Sequence, residues 1–382
     1  MNIVARLNLT PFSLRTAPER PVARTTVGGA DFDTVVIGAG QAGLAAAYHL
    51  RRAGVRFVVF DAYPAIGHSW QRRWDSLRLF TSAKYDGLPG MAFPGDRYSL
   101  PTKEEVTAYF REYVQRFELP IRLNTAVQSL RREGRHFIIT TAQGTTISAT
   151  SVIVATGANQ RPHRPDFAEE LSPRITQLHS DEYRNPSQLP DGPVLVVGAG
   201  NSGAQIALEL AASGRRVHLS GRVTGSLPRR LLGRDIYDWL WPTMMQPSLD
   251  TRLGRRLMQG RLFKGDPLVG IDESDLAGLE RVARTTGTDA GHPLLQNGRV
   301  IKAVESVVWC TGYRPAFEWI ELPVLGSNGY PLHRRGLAQG VPGLAFLGLR
   351  YQYRMSSALL GGVGRDAQYV GERIAAHVRA RQ

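Results

Sequence analysis

Thr34-Val35-Val36-Ile37-Gly38-Ala39-Gly40-Gln41-Ala42-Gly43 is the stretch from which the fold is read. An apolar, mostly β-branched run enters Gly-x-Gly-x-x-Gly. Residues 44–53 then carry a helical pattern, with Gly54 just past its end, the usual place for a left-handed cap. A second apolar run, 55–60, ends on Asp61, 23 positions after Gly38. That is close to the spacing of roughly 20 expected of an acid that binds a ribose hydroxyl. Together these residues make a complete strand–turn–helix–strand unit for a dinucleotide. Gly38 allows the tight turn, Gly40 lets the backbone approach a pyrophosphate, and Gly43 lets helix and strand pack. The helix start at Gln41 and Ala42 offers unpaired N–H groups and partial positive charge.

The unit occurs twice. At an offset of 160, Val194-Leu195-Val196-Val197-Gly198-Ala199-Gly200-Asn201-Ser202-Gly203 repeats the first motif glycine for glycine, and Gly214 falls on Gly54. One column differs: Gly221, followed by Arg222, stands where the first unit has Asp61. A carboxylate there would repel a 2′-phosphate, whereas a guanidinium grips it in a forked, charge-assisted contact. The first site therefore suits a cofactor with a free 2′-hydroxyl and the second NADPH. Two unlike dinucleotide sites in one chain imply electron transfer between two cofactors.

The 382 residues fit two or three domains, and at 42% apolar content the composition is that of a globular protein. No apolar run approaches the length of a transmembrane span. The net charge of +14 ordinarily prompts a nucleic-acid or membrane reading. Here the cations are nearly all arginine, the lysines being Lys84, Lys103, Lys264 and Lys302, and they are dispersed. With no recognised nucleic-acid motif, anionic cofactors are expected and nucleic acid is not. Cys310 is the only cysteine, which rules out an intrachain disulfide, a Cys-x-x-Cys redox pair and a cysteine-rich metal site, and suggests the cytoplasm. A homodimer is compatible with all of this.

Residues 1–30, arginine-rich with no apolar signal segment, read as a disordered tail. A loop, Tyr63-Pro64-Ala65-Ile66-Gly67-His68-Ser69-Trp70, follows Asp61. Thr102-Lys103-Glu104-Glu105 is a capping box opening a helix whose apolar face, from Val106 to Phe117, is core. Short strands are expected over 121–130, 137–141 and 145–149, forming an antiparallel meander. Another strand, 152–157, ends Ala155-Thr156-Gly157 before a proline-rich connection at 161–165. Residues 166–314 hold the second unit. Within them a basic, Trp- and Met-containing segment, 229–264, is interrupted by Pro242 and Pro247 and reads as a lid-like insertion of short helices. A strand at 304–309 ends Cys310-Thr311-Gly312-Tyr313, repeating the Ala-Thr-Gly ending. Residues 315–382, with a buried strand near 344–348 and a terminal helix over 363–379, are expected to return to the first unit (31–165). The expected fold is α/β, with two Rossmann-like domains and the second inserted into a discontinuous first.

In this order the two glycine motifs, Ala155-Thr156-Gly157 and Thr311-Gly312-Tyr313 resemble the flavin-containing monooxygenases. His179-Ser180-Asp181-Glu182-Tyr183, 19 positions before Gly198, is similar to the His-x-x-x-Tyr half of that family's fingerprint. The likeness extends to small bacterial flavoproteins labelled for cation transport and to plant YUCCA-type enzymes. It implies FAD in the first site, with Gly67, Ser69 and Trp70 as further contacts, NADPH in the second, and O2 activated as a C4a-hydroperoxyflavin that oxygenates a small molecule. It also implies catalytic roles for His179, Tyr183 and Thr81. Thr81 takes the place of an asparagine found near the flavin in many members, and Tyr183 the place of the tryptophan of Baeyer–Villiger enzymes. A lone histidine is ordinarily structural, so a hinge role for His179 stays open. So do an NADPH-dependent quinone or flavin reductase and a redox-sensing subunit as alternative functions. No nucleophile–base pair or metal-ligand spacing is present, as expected where cofactors carry the chemistry.

Overall fold

The computed structural model describes residues 30–222, 225–258 and 267–382; the expected tail lies outside them, as does the end of the insertion. Phe32–Ile37 is the centre of a nine-stranded sheet. It runs parallel to Phe57–Phe60 on one side and to Thr146–Val154 on the other. The helix between the first two strands is Gln41–Arg52, followed by Gly54 at φ 68°. It buries Leu44, Ala45, Ala46, Ala47 and Leu50, a run of small residues that brings it close to the sheet.

The C-terminal residues complete this unit. Leu344–Phe346 lies parallel against the outer side of Thr146–Val154. The helix Gly364–Arg379 packs beside Gln41–Arg52, so closely that a Cβ at Gly371 would come within 2.9 Å of His49 Cβ. On the opposite face Val35, Val58, Phe60, Val152 and Val154 meet Phe317, Ile320 and Val324. The capping box forms as expected: Thr102 Oγ1 accepts from Glu105 N–H, and the Glu105 carboxylate accepts from Thr102 N–H at 2.8 Å.

Two strand expectations are corrected. Residues 145–149 and 152–157, read as separate strands, form one strand, Thr146–Val154. Its polar centre hid the continuity: Ser151 is fully buried because Thr34 Oγ1 (2.9 Å) and the Asp33 carbonyl (3.0 Å) satisfy its hydroxyl. Conversely 121–130 is not one strand. Ile121–Arg122 pairs with Phe57–Phe60, the chain turns at Asn124 with φ 52°, and Val127–Glu133 begins the meander.

The second unit is a five-stranded, all-parallel sheet in the spatial order Glu280–Val282, Val217–Ser220, Val194–Val197, Ser306–Trp309, Thr176–His179. Helix Asn201–Ala212 covers one face. The chain enters this unit through Arg161–Pro162 and leaves through Tyr313–Arg314, and these two short strands pair antiparallel. The second domain is therefore an insertion in the first.

The segment from Arg229 opens as a two-stranded hairpin, Arg230–Leu231 with Arg234–Asp235, which the sequence pattern did not suggest. Short helices follow as expected, Ile236–Leu240 and Arg252–Met258, with a π turn Trp241–Met245 between them. Pro242, lacking an N–H, slips the helical register there. The segment rests on the first unit. Arg229 Nη1 donates to the Phe80 carbonyl (2.7 Å), Trp241 stacks on Tyr85, and Arg354 Nε and Ser356 Oγ donate to the Gln246 and Met245 carbonyls.

Candidate active site: two cradles and the joint between them

Both glycine turns divide their labour in the same way. A Cβ at Gly38 would sit 2.5 Å from the Ala155 carbonyl oxygen, and one at Gly43 would sit 1.8 Å from the Gly38 oxygen. In the second unit Gly198 faces the Cys310 oxygen at 2.2 Å and Gly203 the Gly198 oxygen at 1.7 Å. These four glycines are required by packing. Gly40, Gly157, Gly200 and Gly312 have nothing within 4 Å of a Cβ position. They border open space at the C-terminal ends of parallel strands, where such sheets bind nucleotides. No side chain caps either helix start. The first turns, Gln41–Gly43 and Asn201–Gly203, therefore present their amides to that space. The cradles fit a pyrophosphate each.

The ribose ends differ. Asp61 Oδ2 accepts from Ala39 N–H (2.6 Å) and Oδ1 from Tyr63 N–H (2.9 Å), which fixes its carboxylate at the lip of the first cradle. In the second, a Cβ on Gly221 would lie 2.7 Å from Ala199 N, so no acid fits there. Arg222 is exposed and pairs with no carboxylate among the described residues.

The other expected contacts are placed as follows. Thr156 Oγ1 and the Gly157 carbonyl both accept from Gln160 Nε2, which stiffens the Ala155-Thr156-Gly157 turn. Gly67 backs onto Thr107, ahead of the one-turn helix His68–Gln71 that carries an exposed Ser69 and a half-buried Trp70. Gln41 Nε2 reaches the Ala358 carbonyl at 3.3 Å. Asn201 is turned to the chain itself: Nδ2 donates to the Pro267 carbonyl and Oδ1 accepts from Val269 N–H, both at 3.1 Å. Ser202 is exposed at the helix start. Cys310 lies under the second turn, and burial pushes its thiol up to about 12; it is a packing residue.

His179 and Tyr183 lie at the joint. His179 is fully buried at the end of Thr176–His179. Its Nδ1 accepts from Asp181 N–H (3.1 Å), so the ring proton is on Nε2, which donates to the Gly312 carbonyl at 3.0 Å. Burial lowers its pKa, which favours the neutral tautomer these two bonds use. Tyr183, also fully buried, donates to Glu209 in the second-unit helix at 2.8 Å. Both side chains are occupied by protein partners, the geometry of a positioning role. Asp181 accepts from Arg72, Arg73 and Tyr313, so the loop bridges both units.

Thr81 is buried and donates to Asp86 Oδ1 at 2.6 Å. Asp86 carried no motif in the sequence. It is fully buried, Oδ2 has no partner among the described residues, and burial raises its pKa to about 7, against the opposing pull of Thr81 and Arg229. Ser82 Oγ, one residue from Thr81, is also buried and unpartnered among the described residues.

Two nucleotide cradles with unlike ribose ends, set on either side of a two-strand joint, define an oxidoreductase that uses two dinucleotide cofactors. The comparisons agree. The chain belongs to the pyridine nucleotide-disulphide oxidoreductase family, whose pattern matches residues 35–260. An uncharacterized CzcO-like oxidoreductase of Geobacillus kaustophilus is 42% identical, covering 88% of this chain and 97% of its own. A probable indole-3-pyruvate monooxygenase of Arabidopsis thaliana, YUCCA7, is 29% identical over 89% of this chain and 87% of its own. Among solved structures, a flavin-containing monooxygenase from Stenotrophomonas maltophilia is 28% identical, with a TM-score of 0.73 over 90% of this chain and 98% of the other.

Proposed function

We propose that this chain is an FAD-dependent, NADPH-consuming monooxygenase, which places one atom of O2 in a small organic substrate and releases the other as water. The observation that carries it is the pair of mirrored cradles with opposite ribose chemistry, in a chain similar along most of its length to flavin monooxygenases. Bound FAD supplies the passage of electrons from the nicotinamide to dioxygen. The first cradle, Gly38 to Gly43 with Asp61, Ala155, Thr156 and Gly157, would hold it, with Gly67, Ser69 and Trp70 as further contacts. The second cradle, Gly198 to Gly203 with Arg222, holds NADPH. Thr311, Gly312 and Tyr313, fastened through His179, keep the second cradle in line with the first. Asp86 Oδ2 holds a proton below about pH 7 beside Thr81, and the insertion from Arg229 keeps water from that turn. Domain limits of 31–165 with 315–382, and 166–314, follow the crossing strands. The single cysteine supports action in the cytoplasm. A homodimer is the oligomeric form to test by light scattering.

Thr81, in place of the family's asparagine, favours one alternative: an NADPH-dependent quinone or flavin reductase. Electron accounting separates the two. A monooxygenase yields one oxygenated product per NADPH with at least one soft nucleophile in a panel of thioethers and amines. Peroxide equal to NADPH across the whole panel would make the reductase the better reading. Cofactor preference is tested separately. Arg222→Ala raises KM for NADPH by about 10- to 100-fold, through loss of a charged contact to phosphate, and leaves KM for NADH unchanged. Equal weakening of both removes Arg222 from the phosphate site.

A further inference from the structure

The hairpin of the insertion carries an apolar tip that no other described residue covers. Its two-residue turn is Leu232-Gly233, at φ 53° and 75°, the type that Asn-Gly or Gly-Gly fill without strain. A leucine in the left-handed region is a conformational cost, and this one is 82% exposed. Leu231 is 44% and Trp239 38% exposed. The indole is held at the tip by Nε1 donating to the Leu231 carbonyl at 3.2 Å, with Arg234 above its ring. Arg230 and Arg234 flank the leucines, both exposed and neither paired with a carboxylate among the described residues. The one exposed acid among described residues 225–258 is Asp250; Asp235 is buried and bound by Arg229, and Asp238 is held by Lys84 and Tyr85. The base of the hairpin is anchored, since Arg229 ties it to the Phe80 carbonyl.

A rigid, basic, leucine-tipped hairpin combines the two terms that bind a protein to the surface of an anionic bilayer: apolar side chains reaching the acyl boundary and arginines meeting headgroup phosphates. No helix among the described residues is long and apolar enough to cross a membrane, so such an attachment is peripheral. We propose that this hairpin, with Trp239 of the helix that follows it, docks the protein on an anionic phospholipid surface, with Leu231, Leu232 and Trp239 inserted and Arg230 and Arg234 at the headgroups.

The test is co-sedimentation of the full-length, FAD-loaded protein with vesicles of phosphatidylglycerol and phosphatidylethanolamine, or of phosphatidylcholine alone. The expected result is binding to the anionic vesicles only, weakened at least tenfold by Leu232→Asn. Arg230→Gln with Arg234→Gln should flatten its salt dependence. Asparagine suits the turn, so the melting temperature of Leu232→Asn should equal or exceed that of the parent, which separates lost docking from lost folding. Equal sedimentation of parent and Leu232→Asn overturns the proposal. So does a dimer on light scattering that Leu232→Asn dissolves, since the tip is then covered by a second copy.

Discussion

Gly43→Ala should weaken FAD retention and destabilise the apoprotein, whereas Gly40→Ala should weaken retention alone. The added methyl at residue 43 would lie 1.8 Å from the Gly38 oxygen, which is backbone and cannot swing aside. The helix must lift from the turn, an overpacking cost of roughly 1–3 kcal/mol or more. At residue 40 the same methyl meets no protein atom within 4 Å. It meets only the space a pyrophosphate needs, so the fold is indifferent and the affinity falls by at least about tenfold, or roughly 1.4 kcal/mol. The flavin-to-protein absorbance ratio after gel filtration reads retention, and apoprotein melting reads the fold. Gly40→Ala retaining FAD like the parent would remove the first cradle from the cofactor site.

The second large effect is at Asp86, with opposite signs in stability and function. Its carboxyl is raised from 3.8 to about 7 by burial. Below about pH 4 folded and unfolded chains are both protonated and there is no penalty. Between about pH 4 and 7 the unfolded chain ionises while the folded one keeps its proton, so stability falls as pH rises. By pH 7–8 the loss reaches about 4 kcal/mol for a shift of that size. Asp86→Asn keeps an acceptor for Thr81 and removes the titration. Its denaturant midpoint should be flatter than the parent's over pH 4–7 and higher at pH 8. If the buried proton serves the reaction, the fraction of NADPH electrons reaching product should drop in the same variant. A parent and variant with the same pH slope would show that Asp86 ionises as freely in the fold as in water.

The sequence was most legible where function depends on backbone. Glycine spacing encodes a turn that any observer of the chain can read, and the 160-residue offset laid out both cradles and the missing acid at Gly221. It was less legible where a side chain's role is decided by distant partners. Ser151 looked like a strand break because Thr34, which satisfies it, lies 117 positions away. Nothing in the sequence told that the side-chain amide of Asn201 is taken by Pro267 and Val269, which leaves its backbone N–H to face the cradle. Asp86 gave no signal at all, since a lone aspartate in an irregular stretch acquires meaning only from burial. The hairpin tip was missed for a related reason: Leu-Leu-Gly between arginines reads as helix until the chain reverses.

The paired strands Arg161–Pro162 and Tyr313–Arg314 bear on how such a chain is assembled. Exit and re-entry points that are hydrogen-bonded neighbours bring the two ends of the intervening 150-odd residues side by side. A linker of a few residues across that pair would reconnect the nine-stranded sheet without disturbing a strand. The inserted sheet, carrying its own glycine turn, could likewise be joined to a different host at the same two-stranded seam.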